Sequence, residues 1–265
     1  MTTKPIGVFD SGIGGLGIFN AIVKELPHES IVYFADSKRC PYGTKSQSQI
    51  QQITKSIINY LIKEHDIKIA VVACNTATVA SIQYLRNEFP DLPFVGVVPV
   101  IKPASKITQT KKIGCLATEM TVKSEAQACL IQDHAESVDV YNVACNGLVE
   151  LIEEGFLNTN IMKNKLLEYL DPLIEKGIDV LALGCTHYTL LKNQIEKLIP
   201  NNIKILDSNE PVAKQVKRVL VQKNLLLNNG IPKYRFLING DPEHFAKIVS
   251  PFLNGTFTYA EQVTL

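Results

Sequence analysis

The residues best suited to chemistry in this sequence are two cysteines in matching surroundings: Cys74 in Ala73-Cys74-Asn75-Thr76 and Cys185 in Gly184-Cys185-Thr186-His187. Each comes after an aliphatic run, Ile69-Ala70-Val71-Val72 and Val180-Leu181-Ala182-Leu183, and each precedes small polar residues that fit the start of a helix. A strand of that kind delivers a thiol to its carboxyl end, where open α/β sheets place their sites. Asp10 ends an earlier apolar run, so it is a carboxylate able to accept a proton or hold an ammonium group near Cys74. In isolation such an Asp is equally a helix N-cap. His187 lies two residues beyond Cys185, and an imidazole there can take the thiol proton. Backbone N–H groups of residues 75–76 and 186–187, at expected helix starts, offer two anion sites. The side chains of Asn75, Thr76, Thr78 and Thr186 add donors. Two thiols facing one carbon from opposite sides suit proton exchange at a stereocentre. One thiolate removes a proton and the other thiol returns one to the opposite face. Cysteine, at about 8.5 unperturbed, lies within tuning range of working pH, and no cofactor is required.

A competing chemistry is written in Gly12-Ile13-Gly14-Gly15-Leu16-Gly17, which is literally G-x-G-x-x-G. It comes after a strand, opens a helix and has Asp36 at the end of the next strand, the nominal dinucleotide fingerprint of a nicotinamide-dependent oxidoreductase. Asp10 stands immediately before this loop, where its charge would oppose a pyrophosphate. The glycines also fit a role in tight packing alone. A third reading is a non-catalytic binder of acidic ligands with its thiols merely buried. The remaining cysteines, Cys115, Cys129 and Cys145, read as small buried hydrophobes. Cys40 sits in a polar loop and stays open. No C-x-x-C spacing supports structural zinc or thioredoxin-like chemistry.

The elements that must carry these residues alternate along the chain. Strand-like runs fall at Ile6 to Phe9, Ile31 to Ala35, Ile67 to Ala73 and Phe94 to Val98. Helical patterns separate them at Gly14 to Leu26, Ser46 to Glu64 and Thr76 to Glu88. The order then restarts at Lys112 to Thr118, with strands at Val138 to Val143 and Ile178 to Leu183 and helices at Gly147 to Phe156 and Ile161 to Lys176. The two thiols lie 111 residues apart, and the hydroxyl residues Ser11 and Thr118 lie 107 apart, a coarse internal duplication. A tail completes the chain: a strand at Ile203 to Leu206, a helix around Val212 to Leu225, a strand at Tyr234 to Ile238 and a helix from Pro242 to Phe252. By its pattern the tail could complete either half. Continuous apolar strands in repeated βαβ units imply parallel sheets covered on both faces.

Gross properties narrow the classes. The 265 residues are 46% apolar and 20% charged with a net charge of +1, which fits a well-packed globular chain and opposes one held by nucleic acid or an anionic membrane surface. The start, Met1-Thr2-Thr3-Lys4-Pro5, shows no signal-peptide pattern, and no apolar run reaches a membrane span. The expected location is the cytoplasm, where disulfides are not expected.

The chain resembles the cofactor-independent glutamate racemases, within the aspartate/glutamate racemase superfamily. The matching segments are Gly7-Val8-Phe9-Asp10-Ser11-Gly12-Ile13-Gly14-Gly15-Leu16, Pro41-Tyr42-Gly43-Thr44-Lys45-Ser46, Ala73-Cys74-Asn75-Thr76-Ala77, Gly184-Cys185-Thr186-His187-Tyr188 and Asn239-Gly240-Asp241-Pro242. They occur in the family's order over almost the whole chain. The resemblance implies two similar α/β domains, each a mainly parallel sheet flanked by helices, with the site in the interdomain cleft. It implies a first domain of residues 1–97 plus 208–265 and a second of 98–207. It also implies interconversion of L- and D-glutamate, without cofactor or metal, to supply peptidoglycan synthesis. The cysteine matching Cys74 acts on D-glutamate and that matching Cys185 on L-glutamate, with Asp10 and His187 as assisting groups. Asp10, Ser11, Tyr42, Gly43, Asn75, Thr76, Thr118, Thr186 and His187 match substrate-binding positions. Glu153 matches a helix glutamate that acts on the His-bearing side, although Cys145-Asn146-Gly147 replaces a more Pro-rich stretch and leaves the start of that helix open. A homodimer and regulation by a cell-wall precursor occur among such proteins, and aspartate is the alternative substrate within the superfamily.

Overall fold

The computed structural model describes residues 3–253 and 255–265; Met1 and Thr2, at the chain start that lacks a signal-peptide pattern, and Asn254 lie outside the described residues. The described strands are β1 (Ile6–Asp10), β2 (Ile31–Ala35), β3 (Ile69–Val72), β4 (Phe94–Gly96), β5 (Lys112–Ala117), β6 (Asp139–Ala144), β7 (Val180–Leu183), β8 (Lys204–Leu206), β9 (Tyr234–Ile238) and β10 (Ala260–Gln262). The chain divides into two compact units, Met1–Val97 with Asn209–Leu265, and Val98–Ser208. Every described strand pairing is parallel. No helix among the described residues is long and apolar enough to cross a membrane.

The first unit holds a six-stranded sheet of order β10-β9-β2-β1-β3-β4 and the second a four-stranded sheet of order β6-β5-β7-β8. The run β2-β1-β3-β4 therefore reappears as β6-β5-β7-β8. Every residue of β1, β2 and β3 is buried, as continuous apolar strands covered by helices on both faces require. In each sheet the chain steps to one side of its first strand and then to the other. This leaves a topological switch between β1 and β3 in one unit and between β5 and β7 in the other. Beyond the carboxyl ends of such neighbours lies the natural crevice of an α/β sheet.

Local sequence sets the helices. The helix Gln47–His65 starts at a capping box, in which Ser46 Oγ accepts from Gln49 N at 3.3 Å and Gln49 Oε1 accepts from Ser46 N at 2.9 Å. It ends at Asp66 in the left-handed region, φ 49°. The helix Leu16–Glu25 stops just before Pro27. Its Gly17 lies so close to the helix Asn209–Gln222 that a Cβ there would come within 2.5 Å of the Asn209 amide. A Cβ on Gly15 would meet Asp10, Tyr33 and Ala73 at 2.9 to 3.0 Å. None of Gly12, Gly14, Gly15 and Gly17 has positive φ. Gly15 and, of the three fingerprint glycines, Gly17 thus serve close packing within the first unit.

The returning C-terminal segment completes that unit. β9 pairs with β2 and β10 with β9, and Phe236 brings its ring to Phe19 (5.0 Å) and Phe257 (5.2 Å). At the amino ends of β2 and β3, Glu29 and Lys68 are both buried with Nζ 2.5 Å from Oε2. Lys68 Nζ also donates to Leu225 O at 2.9 Å, and Leu227 N to Glu29 Oε1 at 2.8 Å. In the second unit, Val100, Ile101, Ala104, Ile113, Cys115, Val180 and Ala182 form the core under β5 and β7. Ser208 Oγ donates to Val98 O at 2.8 Å and ties that unit's two ends together.

Several elements were not read from sequence: β10 and the helices Ile101–Ile107, Glu119–Val122, Glu125–His134 and Lys192–Glu196. They are short, and the residues of β10, Ala260, Glu261 and Gln262, carry no apolar run. Cys129 corrects another expectation. It is exposed on the outer face of Glu125–His134, whereas Cys115 and Cys145 are buried.

Candidate active site

In the first unit the switch between β1 and β3 gathers the expected residues. Cys74 lies just past β3, is 4% exposed, and is the N-cap of the helix Asn75–Glu88, its Sγ accepting from Ala77 N at 3.5 Å. That helix carries no acidic residue in its first turn, so its positive end acts on the sulfur undiluted. Ser11, just past β1, sets its Oγ 3.6 Å from Cys74 Sγ. Asp10 is wholly buried, and its Oδ2 accepts from Gly12 N at 2.9 Å. It is not a helix N-cap, because the helix behind the glycine loop is capped at Gly15. Asn75 and Thr76 are buried in the first turn of their helix, and Asn75 Nδ2 has no hydrogen-bond partner among the described residues. A buried amide donor without a partner is costly unless something else fills it.

Tyr42 and Gly43 lie in the turn closed by Lys45 N donating to Tyr42 O at 3.1 Å. The Tyr42 hydroxyl donates to Asp36 Oδ2. Burial, then the neighbouring Asp36 and Cys74, raise its pKa well above the ordinary tyrosine value. Asp36 corrects the dinucleotide reading. Its Oδ1 takes Arg39 Nε at 2.8 Å and the Asn239 amide, and its Oδ2 takes Tyr42, so both oxygens are engaged within the chain rather than presented to a ribose.

In the second unit Cys185 lies just past β7 and is 5% exposed. Gly184 before it is tightly packed: a Cβ would meet Ala117, Cys115 Sγ and Leu116 O, all at 3.1 Å. The α-helix expected from sequence directly after Cys185 does not form. Its place is taken by a 3-10 segment, His187–Leu191, and only then comes the helix Lys192–Glu196. The 186–187 N–H groups therefore open a tighter and shorter turn than those of residues 75–76. His187 is 1% exposed, with Nε2 2.6 Å from Glu153 Oε1, a close imidazole–carboxylate hydrogen bond. Glu153 ends the helix Leu148–Glu153, which begins at Gly147 with φ 85°. The glycine supplies the helix start that the absent prolines left open. Thr186 is buried beside Cys185, and Thr118, just past β5, has its Oγ1 3.1 Å from Thr121 Oγ1.

Neighbours of Cys185 that sequence did not single out are Cys145 and Tyr188. The Tyr188 hydroxyl donates to Cys145 O at 3.0 Å. Burial first, then the charge of Cys185, push the Cys145 thiol up. Burial pushes Cys115 up to about 12, against a hydrogen bond from Gln127. Both stay protonated thiols. Asp36 and Asn239 were also missed as partners of Tyr42. The usable signal was their position: each comes directly after an apolar strand, and β2 and β9 pair Ala35 with Ile238.

Comparison with known proteins gives one answer. A family model for Asp/Glu/hydantoin racemases matches residues 6–216. The chain is 42% identical over 249 residues to a glutamate racemase of Herpetosiphon aurantiacus, covering 94% of this chain and 97% of that one. Its fold is similar to a glutamate racemase of Francisella tularensis solved with D-glutamate, TM-score 0.86 at 33% identity over 99% of this chain and 98% of that one. It is also similar to that of Escherichia coli, solved with L-glutamate and the activator UDP-MurNAc-ala, TM-score 0.85 at 29% identity over 94% and 95% of the two chains.

Proposed function

Starting from the premise that this chain belongs to the Asp/Glu/hydantoin racemase family and interconverts L- and D-glutamate, we propose that Cys74 and Cys185 are its two proton-transferring groups. The observation that carries this is their equivalence. β3 and β7 hold the same place in a repeated strand order, and each ends in a buried thiol at a topological switch.

The thiolate of Cys74 takes the α-proton of D-glutamate, breaking the C–H bond and leaving the electron pair on Cα, conjugated with the carboxylate. The thiol of Cys185 then gives its own proton to the opposite face, yielding L-glutamate and a Cys185 thiolate. The reverse reaction exchanges the roles. Protons and charge balance without cofactor or metal. Asp10 faces the substrate ammonium and assists Cys74. His187, whose Nε2–H is given to Glu153, assists Cys185 through Nδ1. Asn75 Nδ2, the N–H groups at the start of Asn75–Glu88, Thr76, Thr118 and Thr186 bind carboxylate oxygens. Ser11, Tyr42 and Gly43 complete the substrate contacts. Two neighbours support the roles of the sulfurs: Ser11 Oγ at 3.6 Å from Cys74 and the buried His187–Glu153 pair next to Cys185.

The test is polarimetry on each enantiomer of glutamate and aspartate without added cofactor, then the same reactions in deuterium oxide. Product from either glutamate enantiomer should carry deuterium at Cα while early unreacted substrate does not. Full turnover by Cys74→Ala or Cys185→Ala ends the two-thiol reading. The wider reading takes the protein as a cytoplasmic homodimer that supplies D-glutamate for peptidoglycan and responds to a cell-wall precursor. The activator held by the E. coli relative supports that last point. A rate unchanged by UDP-MurNAc-peptides would remove it.

A further inference from the structure

Asp36 is a buried carboxylate that the two proton transfers do not use, and Asn239, just past β9, is a residue they do not use either. Among the described residues the two meet within the first unit. Asp36 Oδ1 accepts from Arg39 Nε at 2.8 Å and from the Asn239 amide, and Oδ2 accepts from the Tyr42 hydroxyl. Asn239 has little freedom to do otherwise. Its Oδ1 accepts from Lys38 N at 3.1 Å, and its backbone N donates to Ala35 O at 3.4 Å as an extension of the β2–β9 pairing. The backbone of Asp36 is tied as well, its N donating to Asp10 O at 3.0 Å. Burial raises the Asp36 pKa, and the bonds from Tyr42, Arg39 and Asn239 oppose that rise. Every side-chain partner the described residues give this carboxyl is a donor, which leaves its oxygens as acceptors.

A phenol has one proton, and an ionised carboxylate only accepts. The proton between Tyr42 and Asp36 is thus committed to the anchor and is not offered to an anionic substrate. The backbone is different. The turn at Tyr42 and Gly43 is closed by Lys45 N onto Tyr42 O, and no described group accepts from the N–H groups of Tyr42 and Gly43. Two consecutive backbone donors in a turn form a concavity suited to a carboxylate.

We propose that Asp36 and Asn239 are positioning residues: they clamp the Tyr42 hydroxyl so that the backbone N–H groups of Tyr42 and Gly43, not the phenol, receive a substrate carboxylate. The inference rests on the reading of Tyr42 and Gly43 as substrate contacts. It makes the Tyr42 ring an anchor, so removal of any part of the clamp loosens the same turn.

The experiment is a double-mutant cycle of Asp36→Asn and Tyr42→Phe, with Asn239→Ser as a third variant that leaves the carboxylate in place. Each single variant should raise KM for glutamate about tenfold, the loss of one charge-assisted hydrogen bond, with kcat within about twofold. The double variant should be no worse than the worse single, because both act through one bond. Additive losses in the cycle would overturn the clamp. So would a fall in kcat at unchanged KM, or a Tyr42→Phe variant with unaltered KM. Thermal melting of each variant separates a loosened turn from a loosened fold: a KM rise that tracks falling stability across the three variants also overturns the proposal. These outcomes are independent of the two-thiol reading, which the cysteine variants decide.

Discussion

β3 and β7 are one strand written twice with different endings. Six residues separate Lys68 from Cys74, and six separate Asp179 from Cys185. Both strands pair in parallel with the first strand of their unit, Ile6 with Ile69 and Ile113 with Val180. The carboxyl ends differ in how the thiol is surrounded. Cys74 caps a helix of 14 residues, takes a backbone N–H and lies 3.6 Å from the Ser11 hydroxyl. Cys185 enters a five-residue 3-10 segment that carries His187, itself bonded to Glu153. The amino ends differ in charge: Lys68 gathers Glu29 and the returning tail, while Asp179 gathers the turn at Thr108–Thr110. The repeated strand order places a thiol at the same point in each unit, and their surroundings differ: a helix terminus at Cys74 and an imidazole–carboxylate pair in the segment after Cys185.

The largest expected effect breaks the equivalence itself. Cys74→Ser and Cys185→Ser should each reduce kcat/KM by about 10⁴-fold, since a hydroxyl is a far weaker acid than a thiol at the positions proposed for general acid–base transfer. Because the enantiomers have equal free energy, each variant must lose kcat/KM equally in the two directions. A serine variant with a tenth of the native rate would show that one sulfur is dispensable. At the opposite ends of the strands, Lys68→Met should cost about 3–5 kcal/mol, because it leaves the Glu29 carboxylate buried without its cation. The pair is a charge contact more than an aligned hydrogen bond, as Glu29 Oε2 has no hydrogen-bond partner despite the 2.5 Å separation. A denaturant midpoint unchanged by the substitution would sink this account of how the tail is fastened.

Tuning of the two thiols is separable by smaller changes. Glu153→Gln removes the charge from the bond to His187 and should lower kcat/KM by roughly 10–100-fold, the worth of a charge-assisted hydrogen bond. Ser11→Ala removes a neutral contact to Cys74 and should cost about fivefold, within the range of a neutral hydrogen bond. The sharper readout is the split between enantiomers. With kcat/KM held equal by thermodynamics, Glu153→Gln should depress kcat more for L-glutamate if Cys185 acts on that enantiomer as proposed. Equal kcat losses for both enantiomers in Glu153→Gln would detach the histidine pair from the Cys185 side.

Much of this architecture is legible in the sequence. Apolar runs such as Ile69–Val72 and Val180–Leu183 are unambiguous when both faces of a parallel sheet are buried, and small polar residues after them mark the functional end. The thiols, Asp10, Ser11 and His187 are visible because each sits at the end of such a run or a few residues beyond it. The parts that escape depend on contacts distant in sequence. Asp36 looks like a ribose ligand because its true partner, Asn239, lies 203 residues away in sequence. The glycine loop looks like a phosphate cradle because nothing local shows that Gly17 faces Asn209. The 3-10 segment after Cys185 escapes because His187–Leu191 has the composition of an ordinary helix turn. Cys129 is misjudged because a cysteine on a short helix carries no sign of which face it takes.

The smallest expected effect tests whether Asp179 does in the second unit what Lys68 does in the first. Thr108 Oγ1 and Thr110 Oγ1 donate to its Oδ1 at 2.5 and 3.0 Å, and Gln109 N and Thr110 N to its Oδ2 at 2.6 and 3.1 Å. Partial burial raises its pKa, but the bonds from Thr108, Gln109 and Thr110 outweigh this and bring it from 3.8 down to about 2. A carboxyl whose folded pKa is depressed contributes stability that is present above its unfolded pKa and lost as pH falls through the folded value. The window here lies between about pH 4 and pH 2. Solvent screening of a group that is not fully buried reduces the contribution to about 1 kcal/mol. Asp179→Asn should thus lower stability at pH 7 by about that amount and flatten its dependence on pH below about 4. An acid-unfolding profile identical to that of the native protein would mean that the turn holds the strand without its charge, and that the amino ends of β3 and β7 are alike only in position.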